Sequence, residues 1–206
     1  MPNSKPTLSG DRLLFARAFF RHPRMLGSII PSSRFLIRRI LDSIDWSRVD
    51  VFVEYGPGVG SITGEVLERL RPDATLIAIE MNPEFVRFLR ESFPDGRLQV
   101  VQGSAADVAE ILRERGHEKA SCIISGIPFS TITPSVRERI LQQSRAVLEP
   151  GGTFLVYQFS AFLFEDLRRV FGKVERGFEL LNILPAHLFF CTSSASSSYD
   201  SASHAS

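Results

Sequence analysis

From residue 51 onward, short and continuously apolar runs alternate with longer segments whose apolar positions recur at helical spacing, which predicts repeated strand–helix units. Strands are expected over 51–55, 75–80, 98–102, 121–125 and 153–158. Helices are expected over 61–71, from Pro83, after residue 102 to about Arg115, over 134–148 and over 161–171. Two further extended stretches, 174–181 and 186–192, are separated only by a short turn over 182–185. Parallel strands need crossover connections, and the first five have them; the last two do not and must pair antiparallel. The expected fold is α/β: a doubly wound, seven-stranded, mostly parallel, Rossmann-like sheet with an antiparallel C-terminal hairpin.

Upstream of this alternation the pattern changes. Residues 11–24 read as a helix with Arg17, Arg21 and Arg24 at i, i+4 and i+7, and with Leu14, Phe15, Ala18 and Phe19 displaced around the wheel. A connection over 27–31 leads to Ser32 or Ser33, either of which can cap a second helix over 34–44 carrying Arg34, Arg38 and Arg39. The second helix is expected to pack on the sheet. The first is expected to meet a membrane surface through Arg12, Phe15, Arg17, Phe19 and Arg21. The Ser- and Ala-rich stretch 193–206 reads as a disordered tail, so the chain divides into 1–44, a folded domain over 45–192, and 193–206.

Charge sharpens that division. The 206 residues carry a formal net +1, yet residues 1–40 hold Lys5 and seven arginines against Asp11 alone, which places +7 there and −6 on the remainder. Such asymmetry suits a polyanion, either nucleic acid or an anionic membrane, met by the N-terminal segment. The apolar stretch 13–20 is interrupted by Arg17 and lacks a secretory cleavage pattern, and 154–164 falls short of the roughly 20 residues that span a bilayer. Cys122 and Cys191 sit inside apolar runs as small buried hydrophobes. The expected location is the cytoplasm, peripheral to the inner face of the membrane, without an obligatory protein partner.

The stretch Val51 to Gly60, VFVEYGPGVG, carries the candidate chemistry: a buried strand runs directly into a glycine loop. Gly56, Gly58 and Gly60 give G-x-G-x-G, and Ser61 stands where a dinucleotide fingerprint requires its third glycine, which disfavours NAD. Glu80 ends the second strand, where a carboxylate at the strand tip can accept both hydroxyls of a ribose. Together these features predict a nucleoside-cofactor pocket.

E-Y-G-P-G-V-G followed by I-A-I-E resembles the first two motifs of class I S-adenosylmethionine-dependent methyltransferases. The resemblance implies that Glu54, Gly56, Gly58 and Gly60 underlie the methionine part of the cofactor, that Glu80 binds ribose and that Met81 flanks adenine. Gly103-Ser104-Ala105 matches a position where many relatives have Gly-Asp-Ala, with Ser104 in the acidic place; Asp107 substitutes only if the helix start is shifted. Ser125-Gly126-Ile127-Pro128-Phe129 is similar to the Asn-Leu-Pro-Tyr motif of amino-group methyltransferases, with Gly126 replacing the Asn that grips a planar amine. These residues, with R-H-P-R-M-L-G-S-I-I-P-S-S-R-F-L and N-I-L-P-A-H-L-F-F, resemble bacterial phospholipid N-methyltransferases, relatives of the ribosomal RNA adenine dimethylases.

By that resemblance the reaction is successive methylation of phosphatidylethanolamine towards phosphatidylcholine, with the acceptor at Gly126, Ile127, Pro128 and Phe129 and the lipid phosphate near Arg21, Arg24 and Arg34. The acceptor amine must be neutral to attack, and Tyr157, His187 and His22 are the candidate bases. An rRNA or nucleobase methyltransferase and a non-catalytic membrane module that binds the cofactor are the alternatives; the lost Asn at 126 disfavours the first, so nucleic acid is not the expected partner.

Overall fold

A computed structural model of the chain describes residues 34–158, 161–179 and 186–192. The 11–24 helix, with Arg12, Phe15, Arg17, Phe19, Arg21, His22 and Arg24, lies outside the described residues, as do the turn over 182–185, the tail over 193–206 and the side chains of Arg34 and His187.

The strands are β1 Val51–Tyr55, β2 Thr75–Glu80, β3 Leu98–Gln102, β4 Ala120–Ser125, β5 Leu148–Gln158, β6 Val174–Glu179 and β7 Ala186–Thr192. They form one sheet in the order β3-β2-β1-β4-β5-β7-β6. Pairing is parallel from β3 through β5; β7 runs antiparallel to both β5 and β6. The predicted seven-stranded sheet and its antiparallel end are therefore present. Strand β5 starts earlier than its apolar run suggests, because Leu148 already pairs with Ala120; the chain then bulges out, with Gly151 at φ +81°, before pairing resumes at Thr153. That extra length is taken up by a register shift against β4 between Ala120 and Cys122.

The helices are α1 Arg34–Asp42, α2 Ser61–Arg69, α3 Pro83–Ser92, α4 Val108–Glu114, α5 Pro134–Val147 and α6 Phe164–Phe171. Strand periodicity divides them between the two faces. Val51, Val53 and Tyr55 pack with Ile111 and Leu112 of α4, Ile140 of α5 and Phe171 of α6. Phe52, on the opposite face, packs with Ile37, Ile40 and Leu41 of α1 and with Val66 and Leu67 of α2. Helix α1 is thus bound to the sheet by its apolar side, while Arg38 stays exposed. No helix among the described residues is long and apolar enough to cross a membrane.

The single helix expected after β3 is broken in two. Ser104 accepts a hydrogen bond from the Ala106 amide at 3.2 Å and caps a 3-10 turn over Ala105–Asp107, after which α4 begins. Both cysteines are buried, and burial raises both thiols, Cys191 to about 12, so neither is available as a thiolate.

Gly60 opens α2 with φ +77°, a left-handed conformation that a side chain resists. A Cβ there would also stand 2.9 Å from Leu89 Cδ2 and closer still to the Phe93 ring. Gly60→Ala should therefore lower the unfolding free energy by about 1–3 kcal/mol, measured by urea denaturation; an unchanged midpoint would show that Phe93 yields freely.

Candidate cofactor and acceptor site

The site forms where the strand order reverses, since β1 is flanked by β2 on one side and by β4 on the other. Three glycines close the strand exits through main-chain bonds. The Gly56 amide donates to Ile79 O at 2.9 Å, that of Gly103 to Glu80 O at 3.0 Å and that of Gly126 to Tyr55 O at 3.1 Å. Their loops surround a cavity of about 540 Å³, within the span of about 300–1,000 Å³ common for ligand pockets.

One side of this cavity is made of backbone. Gly56 and Gly58 take φ of +66° and +56°, which brings the main chain to the wall with no Cβ over it. Glu80 lies beside them, half-buried. Its Oε2 accepts the Gly58 amide at 3.1 Å and its Oε1 the Asn82 amide at 2.9 Å. Each carboxylate oxygen has two acceptor positions, so one on each remains for a diol. Asn82 in turn accepts from the Glu84 amide at 2.8 Å and caps α3, with Pro83 in its first turn. Met81, Ser104 and Ala105 complete this half. Asp107 does not substitute for the missing acid beside Ser104, because its carboxylate pairs with Arg139 at 2.7 Å.

The other side is apolar. Gly126, Ile127 and Pro128 line it from the β4 exit. Ile132, Val136 and Ile140 join them from the α5 side and Phe85 from α3. These four are absent from the sequence reading, although Val136 and Ile140 stand at i, i+4 on a helix otherwise rich in polar residues. Val136, Met81 and Phe162 are the exposed large apolar side chains among the described residues. Two of them line the cavity, and the Phe162 ring lies beneath the Arg137 guanidinium, 4.5 Å from its carbon, next to Val136 in the chain.

Other predicted site residues fall outside this lining among the described residues. Glu54 is 2% exposed and accepts from Thr63 Oγ1 at 2.7 Å, because strand alternation points it towards α2. Gly60 contacts the Phe93 and Leu89 side. Ser125 is buried, with its Oγ accepting from the Ile127 amide at 3.3 Å, and Phe129 is packed in the core. Tyr157 reaches the β4 exit from β5 and lies against Gly126. Arg34 begins α1, and His187 pairs with Gln158 in the β5–β7 ladder.

A glycine-lined turn after β1, a strand-tip carboxylate on β2 and the strand order 3-2-1-4-5-7-6 define a class I S-adenosylmethionine-dependent methyltransferase. The chain belongs to the ribosomal RNA adenine dimethylase family, whose sequence profile matches residues 20–156. It is 35% identical to an ornithine lipid N-methyltransferase of Singulisphaera acidiphila over 183 residues, 88% of this chain and 95% of that protein. It is 31% identical to ribosomal RNA small subunit methyltransferase A of Mycoplasma mycoides over 111 residues, 53% of this chain and only 40% of that enzyme. In fold it is similar to the precorrin-6y C5,15-methyltransferase of Geobacter metallireducens, with a TM-score of 0.63 at 15% identity over 77% of this chain and 89% of the other. The cofactor is S-adenosylmethionine, and the residues present suit it: bare glycine backbone on one wall, and spare carboxylate acceptors on Glu80 for the ribose.

Glu80→Gln replaces an oxygen that accepts with an amide that cannot. Loss of even one charge-assisted bond of about 1.5–3 kcal/mol predicts S-adenosylmethionine binding at least tenfold weaker by calorimetry; unchanged affinity would remove Glu80 from the site. Glu54 makes a separate prediction. Burial, opposed by the Thr63 hydrogen bond and reinforced by the Glu80 charge, raises its carboxyl from 4.5 to about 7. Because the folded chain holds this proton more tightly than the unfolded one, the contribution is full below pH 4.5 and is lost as pH rises through 7. Glu54→Gln should flatten the fall in unfolding free energy across that window, and equal slopes in both proteins would contradict the assignment.

Proposed function

We propose that this chain is a lipid N-methyltransferase, transferring methyl groups from S-adenosylmethionine to the amine of a membrane lipid headgroup. The observation that carries this reading is the apolar rim of the cavity. Met81 and Val136 line the cavity and are exposed, so an acyl-chain surface laid against its mouth would cover apolar area that otherwise faces water. The nearly end-to-end similarity to an ornithine lipid N-methyltransferase supports the same reading, whereas the ribosomal RNA enzyme matches over about half of this chain. Phosphatidylethanolamine, implied by the sequence motifs, and ornithine lipid share the chemistry this pocket would meet: an amine on a flexible headgroup attached to acyl chains. The basic segment over 11–24 would then hold the protein against anionic headgroups at the inner face of the membrane.

When bound, S-adenosylmethionine supplies a sulfonium-activated methyl group. The chain's own work is placement and solvent exclusion. Glu80 and the Gly56–Gly58 backbone fix one partner, while Ile127, Pro128, Ile132, Val136 and Ile140 surround the other half with groups that cannot hydrate a cation. In such surroundings the ammonium form of an amine is disfavoured, which leaves the lone pair available.

The test is transfer of labelled methyl from S-adenosylmethionine to vesicles containing phosphatidylethanolamine, to vesicles containing ornithine lipid, to vesicles with neither, and to ribosomal RNA. Label is expected in at least one aminolipid, whose identity then sets the headgroup, and none in RNA. Val136→Ser should lower transfer to vesicle-borne lipid more than transfer to a short-chain analogue in solution. Label in RNA alone would overturn the lipid reading.

A further inference from the structure

Gly126 stands where the β4 exit meets the acceptor half of the cavity, and its backbone does not require a glycine, since it is not among the residues with positive φ. The requirement is spatial and comes from β5. A Cβ at Gly126 would lie 2.8 Å from Tyr157 Oη, 3.2 Å from Cζ and 3.3 Å from Cε1, closer than a side chain can approach without displacing the ring. The ring is held in place from several sides. The parallel register sets Ser125, the last residue of β4, beside Val156, and the residues that follow them, Gly126 and Tyr157, lie against each other. Across the sheet Tyr157 pairs with Leu188 of β7 and packs against the core cluster containing Ile124, Leu155 and Leu188.

Residue 126 therefore has no side chain because a phenol occupies its place. We propose that Gly126 and Tyr157 act as one acceptor-selecting pair, in which the Tyr157 hydroxyl supplies from β5 the polar group that holds the acceptor amine. This rests on the lipid-amine reading above. A phenolic oxygen can accept an N–H, and it is a single atom without the paired donor and acceptor that grip a planar amide or nucleobase edge. It thus suits an sp³ amine on a flexible chain. The number of N–H groups sets the consequence: a neutral primary amine has two, a monomethylamine one and a dimethylamine none. The hydroxyl can hold the first two acceptors through N–H···O but not the third.

The pair is tested with Tyr157→Phe, which keeps the ring and its packing and removes only the oxygen. The assay uses vesicles carrying the primary-amine lipid or its dimethylated form, beside calorimetric affinity for S-adenosylmethionine and a thermal melt. The expected result is at least a tenfold lower kcat/KM on the primary amine, with cofactor affinity and melting unchanged and with the rate on the dimethylamine reduced less. Unchanged kcat/KM on the primary amine would overturn the proposal, and so would an equal loss on both lipids. Failure of the wild-type chain to label any lipid would instead overturn the lipid reading. The spatial half has its own readout. Gly126→Ala should lower the melting temperature, and combining it with Tyr157→Ala should cost less than the two single losses added; simple additivity would refute the contact.

Discussion

The carboxylate of Glu80 joins the parts of the site that the fold brings from different places. It receives the Gly58 amide from the loop after β1 and the Asn82 amide from the start of α3, both through backbone donors that only a proline would remove. Its position follows from the sheet, because register places Tyr55 beside Ile79 and Glu80 beside Gln102, so the exits of β1, β2 and β3 end at one level. A slip of one residue in β2 would send Glu80 to the opposite face and leave the glycine loop without its acceptor. The buried strands β1 and β4 supply the stiffness that keeps this from happening.

The two halves of the cavity obtain specificity by different means. The cofactor half uses main-chain groups and one charge, which are fixed in direction and cost little to reorganise. The opposite half is lined by apolar side chains, Ile127, Pro128, Ile132, Val136 and Ile140, which exclude water from whatever binds there. Glu54 shows the other face of the same low-polarity environment. It is held under the loop by one hydrogen bond from Thr63, and desolvation makes its proton hard to lose.

What could be read from the residues in order was whatever depends on neighbours in sequence. Apolar runs mark the strands, Asn82-Pro83 marks the start of α3, and Glu80 with Gly56 and Gly58 marks one wall of the cavity. Contacts between distant segments were not legible in that way. Gly60 resembles its neighbours in the glycine run, yet it meets Phe93 and Leu89 of the next helix and its end. Val136 and Ile140 belong to the cavity only because α5 packs across the β4 exit, and helical periodicity cannot say which turn faces a pocket. The bare position at 126 was visible, but its cause lay on another strand.

Strand β7 is inserted between β5 and β6, so β6 pairs with no other strand in the sheet. During synthesis the block β3-β2-β1-β4-β5 can assemble as each strand emerges, but β6 must wait, unpaired, for the residues that follow it. Until β7 arrives, the free edge is β5, the strand that carries Tyr157. The contact between Tyr157 and Gly126 is therefore the last feature beside the pocket to acquire its final support, and the wall made by Gly56, Gly58 and Glu80 is built before it.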